Sequence, residues 1–367
     1  MTIDESFMQL ALALAQEARG RTAPNPMVGA LVVREGKIVG RGYHRQAGTE
    51  HAEVVALREA GERARGATLY VTLEPCCHYG RTPPCTRAIL AAGIKRVVVA
   101  MVDPNPQVAG KGIQELQEAG VEVTVGVLGE AASQLNEVFI RYITTGFPFV
   151  ILKMALTLDG KIATDQGDAF WVSGEEARRW VHQLRDQVGA VMIGVNTLLR
   201  DDPLLTTRLD GQRGHDPVRV IVDSRGRTPI TARVLGLESE SPTIVATTPL
   251  APAERLEQLQ RAGAEILLCR QKSGQVDLKD LFWQLGRREI TSVLLEGGAR
   301  LNASALREGL VDKIHFFLAP KIVGGLAAPG PIGDLGIIRM KEAIAIKDLT
   351  VEKIGSDFLF TGYLREK

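Results

Sequence analysis

A histidine, a glutamate and two cysteines form the pattern in this chain that is best suited to metal chemistry. His51 and Glu53 lie two residues apart, and Cys76 and Cys85 follow within the segment 74–85. One imidazole and two thiolates can fill three positions of a tetrahedral zinc ion, which leaves the fourth position for water. Because a carboxylate two residues from the histidine can move protons for that water, Glu53 is the candidate acid–base group. The pattern predicts a catalytic zinc site.

The order and surroundings of these residues make the prediction specific. His-x-Glu followed by Pro-Cys and a second cysteine is typical of zinc-dependent deaminases. Here eight residues (77–84) separate the two thiols instead of two, so this segment is expected to lie beside the metal. Its His78 and Arg81 can then contact a substrate, and arginine suits an anion such as phosphate. The alternatives are that Arg81 is a solvated loop residue, or that Cys77 or His78 closes a purely structural zinc site.

Length and composition restrict the class of protein. The 367 residues favour two domains, and 44 basic against 43 acidic residues give a net charge of +1. This balance argues against a general nucleic-acid or membrane-surface binder. Three of the four cysteines lie within 76–85, unlike a secreted disulfide framework, and the acidic N-terminus does not resemble a signal peptide. No apolar run reaches the ~18 residues of a membrane span, so we expect a cytoplasmic protein.

Apolar periodicity predicts an α/β protein made of two unlike modules joined near residues 144–148. The predicted helices of the first module are 5–19, 51–64, 85–92, 111–119 and 130–144, and its predicted strands are 28–33, 37–43, 67–73, 95–101 and 121–125. The second module is predicted to contain strands 149–155, 190–194, 218–223, 243–247, 264–268, 290–295 and 313–319, helices 174–187, 252–262, 277–287 and 299–308, and a closing hairpin within 344–365.

The predicted metal ligands lie where strands or loops pass into helices. His51 opens one predicted helix, Cys85 opens another, and Cys76 follows the strand 67–73. A helix N-terminus carries a partial positive charge, which lowers the pKa of a thiol and favours the metal-binding thiolate. By contrast, Cys269 lies on an apolar strand far along the chain and is expected to belong to the core.

The second module carries weaker signals. Gly297 and Gly298 join a predicted strand to a helix, and such a junction exposes backbone N–H groups that favour a phosphate. A double glycine is also an ordinary strand-to-helix turn. No G-x-G-x-x-G follows a first strand, so a Rossmann dinucleotide fold is not expected.

Several segments together resemble the family of bifunctional riboflavin-biosynthesis deaminase/reductases. In the first module these are Thr-Ala-Pro-Asn-Pro-Met-Val-Gly at 22–29, His-Ala-Glu at 51–53, the long segment between the cysteines, and Asp-Pro-Asn-Pro at 103–106. The second module contributes the segments 156–163, 193–203 and 294–301. The resemblance covers essentially the whole chain. It implies a cytidine-deaminase-like three-layer α/β/α domain over 1–146 and a dihydrofolate-reductase-like α/β domain over 147–367.

The resemblance also implies roles for individual residues. His51, Cys76 and Cys85 match the zinc ligands, and Glu53 matches the proton shuttle. The positions that match deaminase substrate contacts are Asn25, Ala52, His78, Arg81, Asp103 and Asn105. The positions that match NADPH contacts are Ala155, Trp171, Thr197, Asp201, Ser224, Gly298, Ala299, Arg300, Leu301, Asn302, Ala303 and Ser304. The positions that match reductase substrate contacts are Arg185, Leu205, Arg208 and Glu296.

Some of these residues have an equally ordinary interpretation. An asparagine between two prolines, such as Asn25, is often a turn residue, and Arg185 and Arg208 could be solvated. Trp171 could be a core aromatic residue. The family often has a small polar residue two positions before this tryptophan, where this chain has Ala169.

The activity implied by the resemblance is a two-step reaction. The family deaminates 2,5-diamino-6-ribosylamino-4(3H)-pyrimidinone 5′-phosphate with zinc and then reduces the ribosyl side chain to ribityl with NADPH. We therefore expect a small-molecule substrate, no nucleic-acid or membrane partner, and a homo-oligomer. The alternatives are a deaminase of cytidine or of a tRNA adenosine, a zinc-stabilised binding module, and a monofunctional deaminase with a catalytically silent second domain.

Overall fold

The chain forms two compact units, Met1–Gly146 and Phe147–Lys367. The computed structural model describes residues 1–79, 83–106, 108–211 and 214–365. Arg81, one of the predicted substrate contacts, lies outside these residues. Within the described part of the chain, no helix combines the length and the apolar character needed to cross a membrane.

The first unit is built around a sheet that has five strands in the described residues, in the order β2-β1-β3-β4-β5. The strands are β1 (Gly29–Arg34), β2 (Lys37–Tyr43), β3 (Thr68–Val71), β4 (Arg96–Val99) and β5 (Glu122–Val125). The helices are α1 (Ile3–Gln16), α2 (Ala52–Ala60), α3 (Cys85–Ala91), α4 (Lys111–Glu118), α5 (Gly129–Leu135) and α6 (Glu137–Thr145), and a 3-10 turn covers Gly61–Ala64. Strand β1 is antiparallel to β2 and β3, whereas β3, β4 and β5 are parallel.

Helices cover both faces of this sheet. Successive side chains of a strand point to opposite faces, and in β1 Ala30 and Val32 pack into one buried cluster while Leu31 and Val33 pack into another. The first cluster contains residues of α2, α3 and α4, and the second contains residues of α1 and α5. The unit therefore has the three layers of an α/β/α domain.

The prediction of one helix over 130–144 is wrong. Helix α5 ends at Leu135 and α6 begins at Glu137, with Asn136 between them at φ −103° and ψ 20°. The Asn136 side chain accepts a hydrogen bond from the backbone N–H of Met27 (2.8 Å) and donates one to its carbonyl (3.0 Å). This pair of bonds joins residues far apart in the sequence and interrupts the helix.

The second unit contains a sheet that has nine strands in the described residues, in the order β10-β9-β8-β7-β13-β6-β14-β16-β15. Its strands are β6 (Phe149–Thr157), β7 (Ala190–Gly194), β8 (Val218–Val222), β9 (Thr243–Thr247), β10 (Ala264–Leu268), β13 (Ser292–Leu295), β14 (Lys313–Ala319), β15 (Lys347–Ile354) and β16 (Asp357–Tyr363). The helices are α7 (Glu175–Arg185), α8 (Val195–Asp201), α9 (Ala253–Arg261), α10 (Leu278–Arg287) and α11 (Ala299–Arg307); the remaining elements are the short pair β11 (Gln271–Lys272) and β12 (Gln275–Val276) and a 3-10 turn at Met340–Glu342.

The direction of the strands places three loops at one edge of this sheet. The seven neighbouring strands β10, β9, β8, β7, β13, β6 and β14 run parallel to one another. Within this run β13 lies between β7 and β6. Because the carboxyl ends of parallel strands meet at the same edge, the segments that follow these three strands lie together, where α/β sheets bind their ligands. Strands β15 and β16 form an antiparallel hairpin, which confirms the predicted closing hairpin.

Candidate active sites

Three side chains of the first unit form a group that fits a zinc ion. His51 precedes the first residue of α2, Cys76 follows β3, and Cys85 is the first residue of α3. His51 Nδ1 lies 3.2 Å from Cys85 Sγ and 3.5 Å from Cys76 Sγ, and all three ligand atoms lie within 4.8 Å of one another. Tetrahedral zinc with bonds of ~2.0 Å to nitrogen and ~2.3 Å to sulfur requires an N···S distance of about 3.5 Å. Among the described residues this group has three members, the number that a zinc site keeping one position for water requires.

The two thiols differ in their readiness to lose a proton. The hydrogen bond from Cys85 lowers the pKa of the Cys76 thiol to about 4, and His51 contributes to the same effect. The backbone N–H of Cys85, at the start of α3, also donates to Cys76 Sγ (3.4 Å). The same thiol–thiol hydrogen bond raises the pKa of Cys85. Zinc binding would therefore release the Cys85 proton, since the metal binds thiolates.

Glu53 lies next to the ligand group and is almost completely buried. It is in the first turn of α2, its side chain hydrogen-bonds to Cys85, and only 3% of its surface is exposed. Burial raises the pKa of its carboxyl group. A carboxylate with a raised pKa accepts a proton and returns it more readily at neutral pH, which is the task predicted for Glu53.

Two glycines allow helix α2 to lie directly against strand β2. A Cβ atom at Gly40 would lie 2.1 Å from the Ala56 carbonyl oxygen, and one at Gly42 would lie 2.2 Å from that of Ala52. Any larger residue would push the helix away from the sheet. These contacts fix the start of α2, where His51 is found.

His44 is a site residue that the sequence analysis missed. It is buried, its ring meets that of His51 edge to face, and its Nδ1 lies 3.1 Å from the Glu50 carbonyl oxygen, which requires Nδ1 to donate. Burial lowers the pKa of His44, so the ring is neutral and Nε2 accepts a hydrogen bond from Asn25 Nδ2 (3.0 Å). The Asn25 carbonyl oxygen is therefore turned away from His44.

The other predicted deaminase residues differ in their burial and in their hydrogen bonds. Ala52 is buried in α2, and His78 is partly exposed, with a buried Nδ1 that has no hydrogen-bond partner among the described atoms. Asp103 is buried and accepts the backbone N–H of Asn105 (2.8 Å); burial, together with the charge of Glu74, raises the pKa of Asp103 to about 6. Asn25 also closes a turn through its N–H to the Thr22 carbonyl, so the turn interpretation is confirmed, while its contact with substrate stays a prediction.

The second unit contains a cavity of about 590 Å³ at the edge where β6, β7 and β13 end. Ten of the residues predicted for the reductase site line it: Ala155, Trp171, Arg185, Thr197, Asp201, Arg208, Glu296, Gly298, Ala299 and Arg300. Trp171 is 57% exposed and lies under the Arg178 guanidinium group, 4.6 Å from the ring centre. Trp171 is therefore not a core residue.

Six residues predicted for the same site do not line the cavity: Ser224, Leu205, Leu301, Asn302, Ala303 and Ser304. Ser224 Oγ accepts the backbone N–H of Val276 (3.0 Å). Asn302 is buried and its Nδ2 donates to the Pro331 carbonyl (2.9 Å). Leu205 and Ala303 are also buried. The hydrogen bonds of Ser224 and Asn302 join segments that are 52 and 29 residues apart in the sequence.

A buried network of charges lines one wall of the cavity, and the sequence analysis missed one of its members, Lys153. Glu296 accepts two hydrogen bonds from Arg185 (2.6 and 3.0 Å), and Lys153 Nζ lies 3.9 Å from the same carboxylate. Burial raises the pKa of Glu296, but Arg185 and Lys153 outweigh this and lower it to about 2. Burial, with Arg185 and Arg208, lowers the pKa of the adjacent His182 to about 4. The wall thus carries fixed charges of both signs.

Comparisons with known proteins match both units. Residues 1–101 match the family "cytidine and deoxycytidylate deaminase zinc-binding region", and residues 148–360 match the family "RibD C-terminal domain". The chain is 49% identical to the riboflavin biosynthesis protein RibD of Aquifex aeolicus (97% of both chains) and 42% identical to that of Escherichia coli (96% and 97%).

Solved structures give the same result over nearly the whole chain. Acinetobacter baumannii RibD is 40% identical, with a TM-score of 0.88 and 98% of both chains covered. A Thermotoga maritima protein, described as a diaminohydroxyphosphoribosylaminopyrimidine deaminase/5-amino-6-(5-phosphoribosylamino)uracil reductase, is 37% identical with a TM-score of 0.84, again over 98% of both chains. The predicted fold class, a cytidine-deaminase-like unit followed by an α/β reductase unit of the dihydrofolate-reductase type, is confirmed.

Proposed function

Because this chain belongs to the RibD family of riboflavin-biosynthesis proteins, we propose that it carries out two successive reactions on one pyrimidine substrate. The first unit deaminates 2,5-diamino-6-ribosylamino-4(3H)-pyrimidinone 5′-phosphate, and the second reduces the ribosyl chain of the product to ribityl with NADPH. The observation that carries the proposal is the presence of both sites, the open zinc group and the charged cavity, in one chain. This favours the bifunctional enzyme over a monofunctional deaminase and over a cytidine or tRNA deaminase.

In the deaminase site, the residues of this chain hold the substrate and move its protons. Zinc, when bound, lowers the pKa of its water to ~7. Glu53 is placed to take the proton of the water that would add at the ring carbon bearing the 2-amino group, and to return that proton to the departing amine. The Asn25 carbonyl oxygen, oriented through His44, is suited to accept an N–H of the pyrimidine. Asp103 and Asn105, which are joined by a hydrogen bond, are further proposed contacts of the substrate.

In the reductase site, the chain supplies binding and orientation. NADPH, when bound, supplies the hydride. The cavity presents Arg200 and Arg300 and the first residues of α11, which follow Gly298, and such groups suit the phosphates of a dinucleotide. Lys153 and Glu296 lie against the same space and can orient the polar groups of the opened ribose.

Arg208 is the better candidate for the substrate phosphate in this cavity. The Arg185 guanidinium already donates to the buried Glu296 carboxylate and to the Thr206 carbonyl, whereas the side chain of Arg208 is exposed at the cavity, with one guanidinium nitrogen 3.0 Å from His182 Nε2. Arg208→Ala is therefore expected to raise the reductase KM ten- to a hundredfold, roughly the loss of one charge-assisted hydrogen bond, with a smaller change in kcat. Steady-state kinetics on pre-deaminated substrate measures this, with the exposed Arg307→Ala as control. An unchanged KM would remove Arg208 from the site.

One experiment tests the two reactions together. The purified zinc-loaded protein is given the diaminopyrimidinone ribosyl phosphate with and without NADPH, and ammonia and reduced nicotinamide are followed in time. Ammonia in both samples, followed by NADPH oxidation in the second, is the expected result. Ammonia without NADPH oxidation would support the monofunctional alternative, and no ammonia would contradict the substrate assignment. NADH in a third sample tests the preference for NADPH.

We also propose that the chain works in the cytoplasm as a homo-oligomer, with a second copy pairing along β15. In the described residues β15 is an edge strand that pairs with β16 alone, with an irregular register between Lys347 and Thr350, and its Leu349 and Val351 side chains are about half exposed. The unpaired backbone groups of a long edge strand with exposed apolar side chains can hydrogen-bond to a strand of another chain. Such a strand can pair antiparallel with its own copy around a twofold axis.

The oligomer is tested by replacing the two exposed apolar residues of this edge. The double variant Leu349→Glu with Val351→Glu is expected to shift the mass in light scattering from a multiple of 39.8 kDa to 39.8 kDa. Leu250→Glu, a change at another exposed leucine of the same unit, is the control and should leave the mass unaltered. A wild-type monomer, or an unchanged mass in the double variant, would contradict the proposed interface.

A further inference from the structure

The carboxylate of Glu74 is buried beside the metal-ligand segment and is surrounded by backbone N–H groups. Glu74 lies two residues before Cys76 and only 3% of its surface is exposed. Its Oε2 accepts the N–H of Asp103 (3.1 Å) and of Gly110 (2.9 Å). Its Oε1 accepts the N–H of Gly112 (2.9 Å) and of Ile113 (3.2 Å). A buried charge of this kind is retained only where such hydrogen bonds compensate for its lost hydration.

The four donors belong to two parts of the chain that surround the deaminase site. Gly110 is the N-cap residue of α4, and Gly112 and Ile113 lie in its first turn, where backbone N–H groups lack partners within the helix and attract a negative charge. The fourth donor, Asp103, is the first residue of the segment that also carries Asn105. One carboxylate thus joins the segment that follows β3, the start of α4 and the segment 103–105.

The backbone of the metal-ligand segment touches α4 directly at the same point. A Cβ atom at Gly112 would lie 2.0 Å from the Pro75 carbonyl oxygen and 3.2 Å from Glu74 Oε1. Glycine is therefore required there for α4 to approach Pro75. The Glu74 backbone N–H in turn donates to the Met101 carbonyl (3.0 Å), which holds the chain just before Asp103.

We propose that Glu74 is a positioning residue of the deaminase, whose carboxylate sets the place of Asp103 and Asn105 relative to the metal ligand Cys76. The inference rests on the proposed roles of Asp103 and Asn105 in binding substrate. Glu74 does not touch the reacting atoms. It acts through the main chain, because the residue that carries its side chain is joined through Pro75 to one zinc ligand, and its oxygens bind the substrate segment.

Glutamine cannot replace glutamate in this role. A carboxylate accepts hydrogen bonds at both ends, whereas a side-chain amide accepts at one end and donates at the other. In Glu74→Gln the amide nitrogen must face two backbone N–H donors, either those of Asp103 and Gly110 or those of Gly112 and Ile113. Two buried N–H groups lose their acceptor, and the segment that they held moves.

Deaminase kinetics of Glu74→Gln test the proposal. We expect KM for the pyrimidine substrate to rise about tenfold, as for the loss of one good hydrogen bond, with a smaller change in kcat and a full complement of zinc. Reductase activity on pre-deaminated substrate, which depends on the other unit, is expected to stay at the wild-type level. Glu118→Gln makes the same chemical change at the exposed end of α4 and should alter neither activity.

A double-mutant cycle shows whether Glu74 acts through Asp103. In an Asp103→Ala background, Glu74→Gln should raise KM less than in the wild type, because one of the two contacts that it positions is already gone. Independent, multiplicative effects would overturn the proposal, and so would an unchanged KM in Glu74→Gln. If Glu74→Gln cannot hold zinc, Gly112→Ala decides instead, and a normal KM in that variant with zinc bound overturns the proposal. Failure of the wild type to deaminate would instead contradict the proposed function.

Discussion

Replacing Glu53 with glutamine is expected to slow ammonia release at least about a hundredfold while zinc binding and reductase activity persist. Glu53 is the buried carboxyl group next to His51 and Cys85, and burial raises its pKa. Glutamine has nearly the same shape but can neither take a proton from water nor return it to the leaving amine. General acid–base catalysis typically contributes ~10²–10⁴ in rate, so deamination should fall by at least about a hundredfold.

Three measurements separate this effect from damage to the fold. Zinc content should remain one ion per chain, since Glu53 is not among the three ligand residues. Reduction of pre-deaminated substrate should keep its wild-type rate. Glu59→Gln, on the exposed side of the same helix, should leave deamination intact. Loss of both activities together would argue against two separate sites, and a fully active Glu53→Gln would remove Glu53 from the mechanism.

The zinc site could be predicted because its ligands are marked by local sequence. His51 and Cys85 each stand at the start of a helix, and Cys76 follows a strand, so that hydrophobic periodicity places them without knowledge of the fold. The order of strands and helices could be predicted for the same reason, because hydrophobic periodicity is a property of local sequence. Cys269 lies in the core, as its apolar neighbours predicted.

The contacts that orient these groups could not be predicted in the same way. The bond between His44 and Asn25, the carboxylate of Glu74 against α4, and the approach of Lys153 to Glu296 each join residues that are distant in the sequence. A hydrogen bond between distant residues has no periodicity, and each partner taken alone resembles a solvated side chain. The interruption of α5 and α6 at Asn136 has the same origin, because its partner is Met27.

Removal of the Glu296 charge is expected to destabilise the second unit by about 3 kcal/mol. The carboxylate is buried between Arg185 and Lys153, and glutamine would leave these two cations without a counter-charge. Removing one member of a buried ion pair usually costs more than the pair contributes, about 3–5 kcal/mol, because the remaining charge stays desolvated. The three tryptophans of the chain, Trp171, Trp180 and Trp283, all lie in this unit, so urea unfolding followed by tryptophan fluorescence reports on it alone.

The difference in the free energy of unfolding between the wild type and Glu296→Gln should become smaller as the pH is lowered. The pKa of Glu296 falls from an ordinary 4.5 to about 2 in the folded chain. Below pH ~4.5 the unfolded chain therefore binds a proton that the folded chain does not, and the stability contributed by this carboxylate declines until pH ~2. The contribution, about 3 kcal/mol for this shift, is complete at neutral pH. The two proteins should thus differ most at pH ~7 and converge as the pH approaches ~2.

A surface ion pair in the same unit provides the control for this prediction. Glu265 pairs with Arg288 at the protein surface, where both side chains are exposed to solvent and screened by it. Glu265→Gln should therefore change the free energy of unfolding by less than about 1 kcal/mol and show no comparable loss at neutral pH. Equal losses of unfolding free energy in the two variants would mean that burial does not increase the contribution of Glu296 to stability. A loss at Glu296 that persists unchanged in acid would mean that its carboxylate is not the charge that stabilises Arg185 and Lys153.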